Sequence, residues 1–338
     1  MSVAPRERLH IDPELETSRI AAALRQQVGA VLGRRGLVVA MSGGIDSSVC
    51  AGLAVRAVGA DRVLGLMLPE RESDPASLEL ARTWADALKI EHLVEHIAPV
   101  LEACGCYQRR DAAIARVVPG YGPGWRSKLV LPGDRLDSDR LNITSLAVQP
   151  PDGTALREVR LPPAEYRQIV AATNFKQRVR KMLEYYHADR LHYAVVGTPN
   201  RLEYDQGFFV KGGDGLADVK PIAHLYKTQV YQLAAYLGVP ADIQSRPPTT
   251  DTFSLPQSQE EFYFALPAKT LDLVLSALND GRPSAAVGAE LGYRPDQIDR
   301  AFRDIEQKRA TTRYLHFAPL LVEPVPQVNG TAPQKALD

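Results

Sequence analysis

Residues 41–48 read MSGGIDSS, and they stand between a continuous apolar run at 37–41 and a stretch of helical spacing that begins at Ser47 and reaches about Ala57. A buried strand that enters a glycine-rich turn and leaves it as a helix is one βα unit. A chain that repeats such units builds a parallel sheet covered by helices on both faces. The unit is repeated here. A helical pattern over 18–32, stopped at Gly36, precedes the first strand, and a strand over 63–68, a helix from the N-cap Asp74 to Leu88 and a strand near 91–97 follow it. A long helical pattern over 163–187 leads into a strand at 193–196 closed by Gly197, and past a glycine-rich loop at 211–215 another helix covers about 227–237. The expected fold class is α/β, a doubly wound parallel sheet with flanking helices.

Between the βα units the texture changes. Residues 118–162 contain GYGPGW, LPGD and QPPDGT, with alternating stretches LNITSLAV and ALREVRL on either side of Asp152-Gly153, which predicts a β-hairpin inserted in the α/β domain. The last third is helical, notably over 260–315, and the tail 326–338 is expected to be disordered. A single domain over 1–325 with an insert at about 107–162 accounts for the chain. Forty Lys and Arg balance forty Asp and Glu, so bulk charge points to neither nucleic acid nor an anionic membrane as partner. No run approaches the about 18 apolar residues needed to cross a bilayer, and the first residues lack the apolar core of a signal peptide. Three cysteines, Cys50, Cys104 and Cys106, suit a reducing compartment better than a disulfide scaffold, so a cytoplasmic setting is expected.

The turn itself carries chemistry. Gly43 and Gly44 remove side chains where backbone must wrap an anion, Ser42, Ser47 and Ser48 supply hydroxyls, and the helix start adds unpaired N–H groups at a positive dipole end. An unliganded capped turn is the plainer reading, but the strand, loop and helix context favours a pyrophosphate cradle. The loop is neither G-x-G-x-x-G nor a Walker A loop, and no lysine is present to follow a γ-phosphate through transfer. It resembles the SGGxDS loop of the ATP pyrophosphatase superfamily, whose members cleave ATP between the α- and β-phosphates. NFKQRVRKML at 174–183 is similar to the N-x-x-x-R-x-R-M helix of NAD synthetases. The stretch 196–230, VGTPNRLEYDQGFFVKGGDGLADVKPIAHLYKTQV, is similar to their GT-x-x-x-E-x-x-x-G-F-x-x-K-x-GD-x-x-AD-x-x-P-x-x-x-L-x-K-x-x-V core, and Lys308-Arg309 matches their closing basic pair. The resemblance covers most of 20–100 and 165–310.

That resemblance implies a Rossmann-like carbon–nitrogen ligase that uses ATP and Mg²⁺ to adenylate the carboxylate of nicotinic acid adenine dinucleotide and passes the acyl group to ammonia. A carboxylate is inert to ammonia because oxide would have to leave, whereas an acyl-adenylate supplies AMP as leaving group. By match, Ser42, Gly43, Gly44, Asp46, Ser47, Ser48, Thr198 and Lys227 bind ATP, with Asp46 and Lys227 catalytic. Asp46 and Glu203 hold the metal, and Arg178, Lys211, Asp214, Asp218 and Lys308 bind the acid substrate. The family also implies a homodimer. No cysteine lies in a nucleophile context for a glutaminase, so ammonia is expected from solution or from a separate glutaminase. The match departs at Gly212, where an aromatic is common, at Gln307, where histidine is usual, and in TTDTFSLPQSQEEFYFALP after Pro248. The alternative within this lineage is an amide ligase that adenylates a different carboxylic acid. A sulfur-inserting relative would need a reactive cysteine, which Cys50 in a buried helix does not supply. Residues 285–309 can also be drawn as a DNA-reading helix-turn-helix, and His92 with His96 or Cys104 with Cys106 as metal ligands. Balanced charge and the missing third ligand weigh against both.

Overall fold

The computed structural model describes residues 8–131, 136, 144–154, 156–247, 252–264 and 266–325. Its strands, in chain order, are β1 (Leu37–Ala40), β2 (Val63–Met67), β3 (Glu91–Val94), β4 (Arg126–Val130), β5 (Ser145–Gln149), β6 (Arg157–Arg160) and β7 (Ala194–Val196). Four of them form a parallel sheet in the order β3-β2-β1-β7, with Val39 beside Gly65 on one edge of β1 and beside Val196 on the other. The chain winds from β1 through β2 to β3, then returns to place β7 on the opposite side of β1. A crevice opens where the order reverses, at the carboxyl ends of β1 and β7, and ligands of open α/β sheets bind there.

The apolar runs become strands because both sheet faces are covered. Leu37 and Val39 pack with the Ile45–Val58, Pro13–Gln26 and Lys227–Leu237 helices, while Val38, Leu64, Leu66 and Val195 pack against Leu101, Tyr107 and the Pro163–Leu191 helix. The first helix starts earlier than its apolar spacing predicts, because Asp12 caps it and Pro13 occupies its first turn. It ends in a π-type turn, Gln27–Val31. The Ile45–Val58 helix likewise begins two residues before Ser47, so Asp46 falls in its first turn.

The insert is larger than a hairpin. The predicted pair is β5 and β6, but β4 joins them in an antiparallel sheet, with Leu146 facing Leu129 on one side and Val159 on the other. Leu129, Leu146 and Val148 form a buried cluster with Ile114, Ile169 and Phe253, which seats the small sheet on the Cys106–Val117 and Pro163–Leu191 helices. Residues 141–143 and 155 of the predicted hairpin lie outside the described residues, as does the tail 326–338. The free edge of β4 is covered by the segment at 254–261. The Ser127 N–H donates to Ser254 Oγ at 2.9 Å, the Leu255 N–H to Ser127 O at 3.2 Å and the Leu131 N–H to Glu261 O at 3.1 Å.

The helices Ala268–Asn279, Ser284–Leu291 and Pro295–Thr312 share one apolar core of Leu271, Val274, Val287, Ile298 and Ile305. The pair drawn as a helix-turn-helix thus packs into the molecule. No helix of the described residues is long and apolar enough to cross a membrane.

Candidate active site

Gly43 adopts φ +74°, and a Cβ placed on it would lie 2.2 Å from Ser77 O, so no side chain fits at this turn. The chain then enters the Ile45–Val58 helix with Gly44 as N-cap, and Ser42 Oγ lies 3.2 Å from Ser47 Oγ across the turn. Ser48 is buried, and its hydroxyl donates to Gly44 O at 2.9 Å, the same carbonyl that Ser47 Oγ reaches at 3.0 Å. Ser42, Gly44, Asp46 and Ser47 border a cavity of ≈ 950 Å³ at the crevice beyond β1 and β7.

Across the crevice, β7 is followed by Gly197 and Thr198, and Asn200 caps the short Arg201–Gln206 helix. Asn200 accepts the N–H groups of Leu202 and Glu203 on Oδ1, at 2.9 and 3.3 Å, and donates from Nδ2 to Asp46 Oδ1 at 3.2 Å. One side chain thereby joins the two loops. The ammonium of Lys227, itself buried, bonds the other oxygen of Asp46 in a short ion pair. Asp272 fixes the backbone beneath Lys227, since its carboxylate accepts the Lys227 N–H at 3.1 Å and the Thr228 N–H at 2.7 Å.

The electrostatics follow from burial. Glu203 accepts the Asn200 N–H at 3.1 Å and the Gln259 side-chain amide at 2.9 Å. Burial and the nearby Asp46 carboxylate still push its pKa up to about 7, against Lys227 and those two hydrogen bonds. For Lys227, burial opposes the charged form, but Asp46 and Glu203 outweigh it and hold the ammonium above its ordinary range. Two carboxylates and one cation therefore face the loop, with the second carboxylate incompletely compensated.

Thr198, Glu203, Lys227, Asp214 and Lys308 also border the cavity. Lys308 Nζ donates to Tyr263 O at 2.8 Å and to Asp304 at 2.6 Å, and Asp214 accepts the Val210 N–H at 2.7 Å. Arg178, Lys211 and Asp218 do not face this cavity. Arg178 Nε donates to Lys211 O at 3.3 Å on the exposed surface, Lys211 Nζ reaches Tyr314 O at 2.9 Å, and Asp218 anchors β7 by accepting the Val195 N–H at 2.7 Å. Of the decoys, Cys106 is buried and donates to Ala172 O, and Cys50 is buried with its thiol pKa raised by burial. Asn200, Gln259 and Asp272 were not anticipated from the sequence. Asn200 alone carried a local signal, an Asn with Glu three residues on, which is a capping box. A buried cluster in which Lys176 Nζ contacts Glu70 at 2.8 Å, Glu72 at 2.6 Å and Thr252 O at 2.7 Å was also unforeseen.

Comparison with known proteins gives a consistent result. The NAD synthase family matches residues 16–117 and 141–314. The chain is 58% identical over 320 residues to an NH(3)-dependent NAD(+) synthetase of Rhizobium meliloti (strain 1021), covering 95% of each chain. It is 59% identical over 313 residues to one of Mesorhizobium japonicum, covering 93% of this chain and 98% of the relative. Among solved structures, an NMN synthetase from Francisella tularensis aligns with a TM-score of 0.64 at 23% identity, covering 92% of this chain and 99% of that one. An NH3-dependent NAD synthetase from Campylobacter jejuni aligns at 0.59 and 20%, covering 93% and 100%. These two likenesses speak for the fold.

Proposed function

The chain belongs to the NAD synthase family, and from that premise we propose how its cavity carries out ammonia-dependent NAD synthesis. A carboxylate oxygen of nicotinic acid adenine dinucleotide attacks the α-phosphorus of ATP, and the bond to the bridging oxygen breaks with its electron pair leaving on pyrophosphate. Ammonia then adds to the acyl carbon, gives up a proton, and AMP leaves with the electron pair of the acyl C–O bond. The observation that carries this assignment of roles is the joining of Asp46, Glu203 and Lys227 at the SGG turn, where β1 and β7 diverge.

The loop N–H groups and the hydroxyls of Ser42 and Ser47 receive the departing pyrophosphate, and Thr198 borders the nucleotide from β7. Lys227 holds positive charge where the phosphates meet Asp46. Mg²⁺ suits the donor set, because that ion is ordinarily held by one or two carboxylates plus substrate phosphates. Asp46 and Glu203 supply those carboxylates, and the incomplete compensation of Glu203 is relieved by a dication. Held by Asp46 and Glu203, such an ion would supply positive charge beside the phosphates. Replacing Asp46 with Asn removes a metal-directed charge at a cavity-facing position. It should lower AMP formation by about 100-fold or more, and it should also lower the melting temperature because the buried Lys227 ammonium loses its main partner, so turnover is compared at a temperature where both proteins are folded. Near-wild-type turnover would refute the role of Asp46.

The acid substrate occupies the remainder of the cavity in this reading, with Asp214 and Lys308 on its border and the insert as one wall through Leu129, Leu131 and Leu136. Arg178 and Lys211 sit instead on a surface that also carries Met182, 54% exposed, and Tyr186, 59% exposed, at positions four and eight after Arg178 on the same helix. Ile169 and Leu183 of that helix face the core instead. This surface is the proposed contact of a homodimer, which brings Arg178, Lys211 and Asp218 to a partner's substrate. The reading includes a cytoplasmic setting, supported by three free cysteines, and ammonia drawn from solution or from a separate glutaminase.

A further inference from the structure

Arg246 borders the same cavity, beside the start of the Pro75–Leu88 helix. It follows the Ala241–Ser245 helix, whose Ile243 is buried in the main core, so the root of the side chain is fixed. Its guanidinium donates from Nη1 to Ser77 Oγ at 2.9 Å and from Nη2 to Asp74 Oδ2 at 2.7 Å. Ser77 in turn lies against the turn, its carbonyl oxygen occupying the space a Cβ on Gly43 would need. One residue therefore separates the guanidinium from the SGG loop.

Charge decides what the arrangement is for. The loop brings no cation of its own, and the ammonium of Lys227 is answered by Asp46. A nucleoside triphosphate brings several negative charges, and after cleavage much of that charge stays on pyrophosphate. Asp74 already has a task, since its Oδ1 accepts the Ala76 N–H at 3.0 Å and caps the helix. Its ion pair with Arg246 is half-open to solvent, with Asp74 49% exposed, and such a pair contributes little. A guanidinium exchanges it readily for phosphate, which it meets with two parallel donors.

We propose that Arg246 is a ligand of the nucleotide's polyphosphate, closing the SGG loop from the Ser77 side and holding the pyrophosphate as it departs. No proton moves in this role; the guanidinium faces the charge that collects when the α–β bond breaks. The proposal rests on reading the loop as a pyrophosphate cradle, and the test separates the two.

Binding of inorganic pyrophosphate with Mg²⁺ to the full-length protein, followed by calorimetry, is compared for wild type, Arg246→Gln and Asp74→Asn, alongside KM values for both substrates. Asparagine caps a helix as well as aspartate does, so Asp74→Asn removes the charge and spares the fold. Arg246→Gln should weaken pyrophosphate binding at least tenfold and raise the KM for ATP similarly, with the KM for the acid substrate within twofold. Asp74→Asn should bind pyrophosphate as tightly as wild type or up to threefold more tightly. Equal weakening by the two variants would show that Arg246 acts only through its pair with Asp74, and unchanged binding by Arg246→Gln would overturn the proposal directly. A wild-type protein that turns over ATP but binds no pyrophosphate would contradict the cradle reading and this proposal with it.

Discussion

Asp46 meets Asn200 on one oxygen and Lys227 on the other, so the residue that the motif singles out is also the point where three separate chain segments converge. Asp272 supports it from beneath Lys227, and its burial gives a pH signature. The carboxyl is pushed up to about 6 from an ordinary 3.8, burial outweighing the two backbone N–H bonds it accepts. The folded state thus favours the protonated acid, and the stabilising contribution is full below pH 3.8 and lost above pH 6. Asp272→Asn does not titrate. The stability of wild type relative to that variant should therefore decline by up to about 3 kcal/mol as pH rises from about 4 to 7, read from urea denaturation. A pH-independent difference would show that Asp272 is not perturbed. Asp46, Ser47, Glu203 and Lys227 were legible because each lies within a short motif. Asp272 was not, because its partner is 45 residues away and nothing local marks a buried carboxylate that caps another helix.

The parallel strands were legible for the opposite reason, since burial on both faces leaves continuous apolar runs such as Leu37, Val38 and Val39. β4 hid because its sequence, RSKLV, places a serine at a buried position and two cations among its five residues. Ser127 is buried with its N–H satisfied by Ser254, while Arg126 and Lys128 donate to Ser254 O and Pro256 O at 2.9 and 3.1 Å. Pairing with a segment more than 120 residues away is not written in local spacing. The consequence is functional, because the three-stranded insert forms a cavity wall and at the same time holds the 254–261 segment whose Gln259 touches Glu203. Removing β5 and β6 would strip Leu146 and Val148 from a buried cluster, so a substitution at the wall is the better probe. Leu131→Ala should raise the KM for the acid substrate about fivefold, the loss of a few apolar contacts, and leave the KM for ATP within twofold. Steady-state kinetics with each substrate varied in turn would decide, and a selective rise in the KM for ATP would place the insert against the nucleotide instead.

At the scale of the molecule, the family match runs over 16–117 and 141–314, so β5 and β6 of the insert lie inside it and only 118–140, which includes β4, lies outside. Arg178 and Lys211 lie beside exposed Met182 and Tyr186, outside the cavity, and make sense as a site completed by a second copy. Light scattering should give about twice the chain mass of 37.1 kDa, and a monomer at working concentrations would remove that explanation. The order of the strands could not be read from spacing, because it depends on which sheet edges remain uncovered after folding. Coupling of α–β cleavage of ATP to amide formation with ammonia is what the proposed cavity has to deliver. Phosphorus NMR of the full-length protein with ATP, Mg²⁺, nicotinic acid adenine dinucleotide and ammonium tests it most directly. One AMP and one pyrophosphate are expected for each NAD formed, and ADP and phosphate in their place would refute the coupling.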